Sequence, residues 1–245
     1  RRHQHVHGWQ RLMAASVASA ALAACGGVTI APEPVLPRAL VQPIGADVGY
    51  VLTSEQRNYV HSETRAGVPW KVSLGAGHQK LMREIFTAEF RQAREFPDFE
   101  AARKAENLQA VFEPKIEQYS FATASETGGM YVAVTIRYRI DVHTPEGARF
   151  DSLTLTGYGA SLVDGIGSEE PMAIATRNAM RDAAAKFLAQ FQGQPLAEQL
   201  AKGEKLVAAS VPAGAVAAAV TAIEAVPIRP SRRRSLASLQ ASPST

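Results

Sequence analysis

The chain has 245 residues, 46% of them hydrophobic and 20% charged, which is typical of a globular protein and excludes a chain that is disordered throughout. The formal net charge is +3, but residues 1–24 contain Arg1, Arg2 and Arg11 and no acid, so the remaining 23 basic residues balance the 23 acidic ones. The basic character therefore gives no indication of nucleic-acid binding, which requires a basic patch on the folded part. The single cysteine, Cys25, excludes an internal disulfide.

The amino-terminal segment has the three-part order of a secretory signal. Arg1–Arg11 is basic and polar, and Leu12–Ala24 is an uncharged, mostly apolar run of 13 residues. This run is too short to span a bilayer, which requires about 20 residues. At its end, Leu22-Ala23-Ala24-Cys25 resembles the lipobox of bacterial lipoproteins; the alternative is a buried N-terminal helix with an incidental cysteine.

The lipobox resemblance implies a defined chemistry at Cys25. Its thiol receives diacylglycerol, a signal peptidase cuts between Ala24 and Cys25, and the freed amine is usually acylated, for example with palmitate. Several acyl chains hold a protein stably on a membrane, whereas a single chain is marginal. Gly26, and not Asp, follows the cysteine, which by the sorting pattern of enterobacterial lipoproteins implies the outer membrane, with the folded part facing the periplasm.

Composition along the rest of the chain predicts four segments. Residues 1–24 are the signal peptide, and four prolines and two glycines between 26 and 44 predict an extended tether over 25–45. A folded domain is predicted over 46–195. Residues 196–245 are predicted to form a short helix and then a low-complexity basic tail, mostly disordered from residue 208 onward.

Within the domain, hydrophobic periodicity predicts alternating strands and amphipathic helices. The predicted strands are Asp47–Leu52, Val68–Leu74, Leu108–Phe112, Tyr131–Val142 and Phe150–Gly159. The predicted helices are His78–Glu95, a short turn at Ala101–Asn107, and Met172–Gln192 with Ser168 as its N-cap. Pro114 predicts that the third strand continues only as an edge or bends.

The clearest strand is Tyr131–Val142, whose apolar side chains occupy every second position, from Val132 to Val142. Together with Phe150–Gly159 it predicts an antiparallel hairpin with one solvated face. We therefore expect an α+β domain: a two-layer sandwich in which an antiparallel sheet of about four to five strands is covered on one face by two amphipathic helices.

The search for chemistry predicts no enzyme, no cofactor and no metal. His61, His78 and His143 are not at metal-ligand spacing. His3, His5 and His7 alternate as ligands would, but they lie in the segment predicted to be removed. Gly159-Ala-Ser161-Leu-Val163 lacks the second glycine of a nucleophile elbow. The alternative is a hydrolase whose polar cleft unites one of the three later histidines with a carboxylate.

Two places could bind a partner or ligand. The outward face of the hairpin carries Tyr131, Arg137, Arg139 and Tyr158, residue types that suit protein interfaces and equally suit a plain solvent face. The other place is the turn Gly75-Ala-Gly77 with Lys80, which precedes a helix. It could bind an anion or be a simple turn.

The layout of a lipobox, a proline-rich tether and a domain that ends in a hairpin and a helix resembles the YajG-like outer-membrane lipoproteins. Related members are auxiliary lipoproteins of envelope transport and assembly systems. The anchor, the tether, the small α+β domain and the lack of a catalytic set together predict a non-enzymatic binding, assembly or accessory factor with an envelope protein partner and a membrane attachment through Cys25. The charge distribution predicts no nucleic-acid partner. The alternative is a module that binds a small ligand or an envelope glycan.

Overall fold

The computed structural model describes residues 27–36, 41–163 and 167–208. The strands within these ranges are β1 (Val28–Ile30), β2 (Ile44–Val51), β3 (Val60–Arg65), β4 (Val68–Ser73), β5 (Phe90–Phe96), β6 (Ala110–Ala122), β7 (Tyr131–His143) and β8 (Arg149–Leu162). The helices are α1 (Ser54–Arg57), α2 (Gly75–Glu89), α3 (Phe99–Arg103), α4 (Glu169–Gln190) and α5 (Pro195–Ala201), with a 3₁₀ turn at Phe191–Gly193.

The strands form two sheets. The larger has the order β5-β2-β6-β7-β8, and the smaller has the order β1-β4-β3. The predicted α+β class is confirmed, but the prediction of one antiparallel sheet is wrong, because β2 runs parallel to both β5 and β6. The chain leaves β2, forms the β3–β4 hairpin and α2, and returns to the same sheet as β5, and such a crossover places β5 parallel to β2.

The first long helix ends six residues earlier than predicted. Its predicted stripe is buried, since Leu81, Met82, Ile85 and Phe86 are each no more than 1% exposed. The chain turns extended at Phe90 and continues as β5, which pairs with the outer edge of β2. A short apolar run fits helical and strand periods equally, and no Gly or Pro marks the boundary, so backbone pairing with β2 decides it.

Helices α2 and α4 pack against one face of the larger sheet. Phe86 of α2 contacts Phe112 of β6 and Phe187 of α4, with ring centroids 5.2 and 5.9 Å apart. The predicted inward side chains of β7 are all buried: Val132, Val134, Ile136, Tyr138, Ile140 and Val142. The main core therefore lies between these two helices and the sheet.

Two glycines bring α4 directly onto β8. A Cβ at Gly157 would lie 2.0 Å from the Ala179 carbonyl oxygen, and a Cβ at Gly159 would lie 2.0 Å from the Ala175 carbonyl oxygen. The glycines on the strand face alanines on the helix, so the backbones of the two elements come into direct contact. This contact explains why positions 157 and 159 are both glycine.

The second face of the larger sheet is partly covered, which the two-layer prediction did not include. Val51, Ala102, Leu108 and Val111 form a separate buried cluster under α3. Over β6, β7 and β8 the same face is polar. Helix α3 therefore covers only a small part of this second face within the described ranges.

The expected tether is folded in part. β1 runs parallel to β4, with Val28 opposite Trp70, and Ile30, Pro32 and Pro34 are buried. Proline suits this role because each carries an apolar ring and has no N–H to satisfy. At the other end of the domain Leu196, Ala197, Leu200 and Leu206 are buried, so the core continues beyond residue 195.

Pro114 lies in β6 just beyond the point where β6 stops pairing with β2. β2 pairs with β6 only over Ala110–Phe112, whereas β7 pairs with β6 along nearly its whole length. Pro114 follows the last β2 contact, so its missing N–H leaves no ladder bond unmade. The prediction of a strand that continues as an edge holds locally on the β2 side.

Candidate functional site

The four residues of the predicted binding surface lie on the outer face of the β7–β8 hairpin. Arg137 and Arg139 are in the middle of β7, Tyr131 begins it, and Tyr158 lies on β8 opposite Thr135. Tyr158 is 60% exposed and Tyr131 is 41% exposed. Their use as a binding surface stays a prediction.

Both arginines of this surface are already engaged in ion pairs. Arg137 Nε lies 2.8 Å from the carboxylate of Glu117, and Arg139 Nε lies 3.0 Å from that of Asp141. Arg149 Nη2 also reaches Asp141, at 3.1 Å. An incoming anion would have to compete with these carboxylates, so the middle of the face is a neutralised network.

Asp141 is the centre of that network. Burial acts to raise its pKa, but hydrogen bonds from Ser152 and Arg139 outweigh burial and hold the pKa below its usual range. Lys115 bridges two acids, with Nζ 2.9 Å from Glu113 and 3.6 Å from Asp141. The charges of this face stabilise one another and leave little free positive potential.

The outer edge of β8 is closed by three side chains of α4 spaced four residues apart. Asn178 and Lys186 donate to backbone carbonyls of β8, and the carboxylate of Asp182 accepts from a backbone amide. The strand groups that they bind are the Thr156 carbonyl, the Tyr158 amide and the Ala160 carbonyl. Because these groups are occupied, β8 cannot add a partner strand along this stretch.

A cleft of about 270 Å³ opens where β2 ends and β6 continues alone. It is lined by Thr53, Glu55, Gln56, Tyr59, His78, Glu113, Lys115 and Ile116. One wall is fixed by the capping box of α1, in which Gln56 Oε1 accepts from the Thr53 amide at 2.7 Å. The cleft therefore lies between the beginning of α2, at His78, and β6 of the larger sheet.

His78 forms the buried floor of this cleft and is 1% exposed. Its Nε2 lies 3.2 Å from the Pro114 carbonyl oxygen, and its ring stacks on Tyr138 with centroids 5.7 Å apart. A carbonyl only accepts, so Nε2 carries the proton. Burial lowers the pKa of His78 to about 4, despite the raising effect of that carbonyl. The ring is therefore neutral near pH 7.

The other two histidines lie apart from this floor. His61 Nε2 contacts the Glu63 carboxylate at 3.1 Å on the smaller sheet. His143 lies 3.5 Å from Glu113 and packs against Phe99, with centroids 4.6 Å apart. Each histidine thus has a structural environment of its own, and of the three it is His78 that lines the cleft, together with the carboxylates of Glu55 and Glu113.

The turn proposed for anion binding serves close packing instead. The Leu74 and Gly75 amides both donate to the Tyr59 carbonyl, at 2.9 and 3.0 Å. A Cβ at Gly75 would lie 1.9 Å from the Arg57 carbonyl oxygen. Lys80 is 3.9 Å from Glu33. The amides of Leu74 and Gly75 are therefore bound by protein.

Several predictions fall outside the described residues, namely Ala24 and Cys25 of the lipobox and the tail from 209. Within the described ranges no helix is long and apolar enough to cross a bilayer. In the same ranges, no group of three or more His, Cys, Asp or Glu is placed to hold a metal ion. Ser161, the candidate nucleophile, donates to the Leu162 carbonyl at the exposed end of β8.

Sequence reasoning missed two features. The cleft depends on the end of β2 beside β6, which no local pattern reveals. An exposed apolar cluster at the beginning of β7 was also missed, where Met130 is 66% exposed and Leu162 73% exposed. The signal for it was a large apolar residue directly after Gly128-Gly129, at a strand start.

No protein-family model matches the chain, and no curated protein matches it. Among solved structures, one from Helicobacter pylori described as a neuraminyllactose-binding hemagglutinin homolog is 8% identical, covers 69% of this chain and 97% of its own, and has a TM-score of 0.43. A hypothetical protein from Chlamydia trachomatis is 12% identical, covers 61% and 100%, and scores 0.37. A minor lipoprotein from Acinetobacter baumannii is 9% identical, covers 68% and 99%, and scores 0.34. These values are too low to support an argument about function.

Proposed function

We propose that this chain is a lipid-anchored protein of the bacterial envelope whose folded domain acts as a non-enzymatic binding, assembly or accessory factor. The observation that carries the proposal is Leu22-Ala23-Ala24-Cys25, which follows a basic segment and a 13-residue apolar run. The motif chemistry is specific because only cysteine forms the thioether to diacylglycerol.

The non-enzymatic part of the proposal is supported by how the candidate catalytic groups are used. His61 pairs with Glu63, His78 is bound to a backbone carbonyl, and His143 packs against Phe99. Each of these contacts has an ordinary structural purpose. A catalytic base instead has to reach a substrate proton.

Metabolic labelling with a palmitate analogue tests the anchor. We expect the full-length chain to incorporate label and to fractionate with membranes, and Cys25→Ser to lose both properties. Ser19→Ala is the matched control, since it changes the apolar run and leaves the lipobox intact. A Cys25→Ser chain that is labelled as strongly as the wild type would overturn the proposal.

The outer membrane is the proposed location because Gly26 follows the cysteine. Density-gradient separation of the two membranes tests it: wild type is expected with the outer membrane, and Gly26→Asp is expected to shift toward the inner membrane. This sorting rule belongs to enterobacteria. A wild-type chain found only in the inner membrane would refute the location and leave the anchor standing.

Crosslinking in the intact envelope, followed by mass spectrometry, tests the accessory role. We expect the wild-type chain to give repeated crosslinks to one or a few envelope proteins, and Cys25→Ser to lose them. Repeated recovery of no envelope partner would count against an accessory role.

The cleft at His78 favours the alternative, a small-ligand or glycan module. Ligand-observed NMR with a panel of neutral and acidic amino sugars tests it, using Lys115→Ala against the exposed control Lys71→Ala. Binding that Lys115→Ala alone removes would support the alternative. No binding of any panel member would leave the cleft as a surface irregularity.

A further inference from the structure

The described chain begins at one end of the domain, and several loops meet there. We call this the anchor end and define it by Gly27–Val28, Ala66–Val68, Thr123–Tyr131, Leu162–Val163 and Gly167–Pro171. Val28, Val68 and Trp70 line a broad recess with the first turn of α4, including Pro171. Arg65 Nη1 contacts Glu126 at 2.7 Å, and the Val163 amide donates to the Met130 carbonyl at 3.1 Å. These contacts make the anchor end one continuous surface.

Apolar side chains are concentrated on the anchor end. Of the nine large apolar residues exposed in the described ranges, four lie there. They are Val68 at 40%, Met130 at 66%, Tyr131 at 41% and Leu162 at 73% exposed. Single exposed apolar residues need no explanation, whereas a cluster marks a contact with another body. The types also fit a membrane interface, where tyrosine and aliphatic side chains are favoured.

The position of Gly27 decides what covers this surface. Gly27 lies against Pro69, because a Cβ on it would be 2.5 Å from the Pro69 carbonyl oxygen. Cys25 is two residues earlier in the sequence. Two residues span at most about 7 Å between Cα atoms. A lipid on Cys25 therefore brings the anchor end to the headgroups, and the expected long spacer between lipid and domain is absent.

The described chain leaves the domain at the opposite end. Lys205 Nζ lies 2.7 Å from Glu146 in the β7–β8 turn, and the Leu206 amide donates to the Gln109 carbonyl. The 13 residues of β7 separate the two ends by about 40 Å. Anchoring through Cys25 thus leaves the far end directed away from the membrane.

Charge at the anchor end selects the kind of bilayer. Glu126, Glu169 and Glu170 are exposed there. Glu126 pairs with Arg65 and Glu170 pairs with Arg177, which leaves the charge of Glu169 unbalanced among these three acids of the described chain. An anionic surface would repel this end, whereas zwitterionic headgroups would accept it. The loop that presents Met130 is held in place because Glu126 also accepts from the Thr123 amide at 2.7 Å.

We propose that the anchor end lies directly on a zwitterionic lipid surface, with Met130, Tyr131 and Leu162 at headgroup depth. This inference rests on the proposed lipidation of Cys25. Its consequence is a fixed orientation: the cleft and the two arginines of the hairpin face lie to the side of the membrane-contacting end, and the far end points away from the membrane. The surface adds orientation, since the acyl chains alone supply stable attachment.

Depth-dependent quenching tests the orientation. The full-length lipidated chain carries its only cysteine as the lipid thioether, so Leu162→Cys provides a single thiol for a fluorescent label. Val207→Cys is the matched control, because Val207 is 70% exposed but lies at the far end. In vesicles of phosphatidylcholine and phosphatidylethanolamine with headgroup spin labels, we expect several-fold stronger quenching at position 162 than at 207.

Each outcome bears on a different statement. If mass spectrometry finds no lipid on Cys25, the proposed function fails and the orientation falls with it. If the lipid is present but quenching is equal at both positions, only the orientation is overturned, and the apolar cluster is left to a protein partner. Adding phosphatidylglycerol is expected to weaken quenching at 162; stronger quenching would overturn the zwitterionic assignment.

Discussion

The two faces of the larger sheet each bury a carboxylate, and they hold it in opposite ways. On the helix side Glu89 is 0% exposed, and neither of its oxygens makes a hydrogen bond of good geometry. On the outer side Asp141 is 6% exposed, accepts hydrogen bonds from Ser152 and Arg139, and forms an ion pair with Arg149. Burial raises the pKa of Glu89 to about 7, whereas the hydrogen bonds of Asp141 outweigh its burial and lower its pKa.

The difference shows what each face is built to do. The helix side excludes water and favours the neutral form of a buried carboxyl. The outer side solvates its acids with arginines, which leaves those arginines unavailable to a ligand. Within the described ranges, the cleft at His78 and the anchor end remain candidates for binding, and both lie at the margins of the sheet.

The largest change in the free energy of unfolding is expected from a substitution that disrupts the packing of α4 on the sheet. Gly159→Val would place a Cβ 2.0 Å from the Ala175 carbonyl oxygen and 2.4 Å from the Ala179 nitrogen. Neither atom can move without shifting α4, so we expect a loss of about 3 kcal/mol or more in the free energy of unfolding. Ala160→Val, the next residue and an exposed one, should stay within about 0.5 kcal/mol. Urea unfolding measures both, and equal midpoints would contradict the backbone contact.

Glu89→Gln tests the buried acid on the same side. A raised folded pKa means that the carboxyl costs nothing below its unfolded pKa of 4.5, and that stability falls as the pH rises through about 7. We expect Glu89→Gln to gain up to about 3 kcal/mol over wild type above pH 7, with little difference in acid. The exposed Glu100→Gln should change stability by no more than about 0.5 kcal/mol at either pH.

A chemical-denaturation series over pH measures this difference. A wild-type stability that rises between mildly acidic and neutral pH, relative to Glu89→Gln, would contradict the buried neutral form.

Asp141→Asn should show the opposite pH dependence on the outer face. Its carboxylate contributes above the unfolded pKa of 3.8, and the contribution is lost as the pH falls through the lower folded pKa. We expect a loss of about 1–3 kcal/mol at neutral pH, because Arg139 and Arg149 lose a charged acceptor, and a smaller difference in acid. Asp151→Asn, on the exposed part of β8, is the control. A loss that grows with acidification would contradict this account.

The sequence predicts an element where its side chains alternate clearly, and it misses an element whose formation depends on backbone pairing with a distant strand. The alternation from Val132 to Val142 predicted the inner face of β7 correctly. β3 was missed because none of its residues is buried, so no apolar pattern marks it. β1 was missed because prolines around it indicate an extended tether, and β5 because its apolar residues also fit a helical period.

The candidate surface was predictable by residue type but not by charge. Tyr131, Arg137 and Arg139 were assigned to the outer face from alternation alone. The ion pair of Arg137 with Glu117 depends on the register of β6 against β7, which shifts at a bulge between Ile116 and Gln118. No local pattern reveals that bulge, so the pairing of Arg137 with Glu117 appears only in the folded chain.

The smallest change in stability is expected from a substitution on the outer face, which tests whether the ion pairs there mask a binding surface. Glu117 contacts Arg137 at 2.8 Å and Arg139 at 3.9 Å. Because such exposed pairs contribute little, Glu117→Gln should change the free energy of unfolding by no more than about 1 kcal/mol. Removing the acid should nevertheless free Arg137, so retention on a sulfated column should rise at low salt. Glu106→Gln makes the same charge change away from this face and should raise retention less. Equal retention of the two variants would mean that Arg137 stays unavailable, and the outer face would then be a solvated structural network.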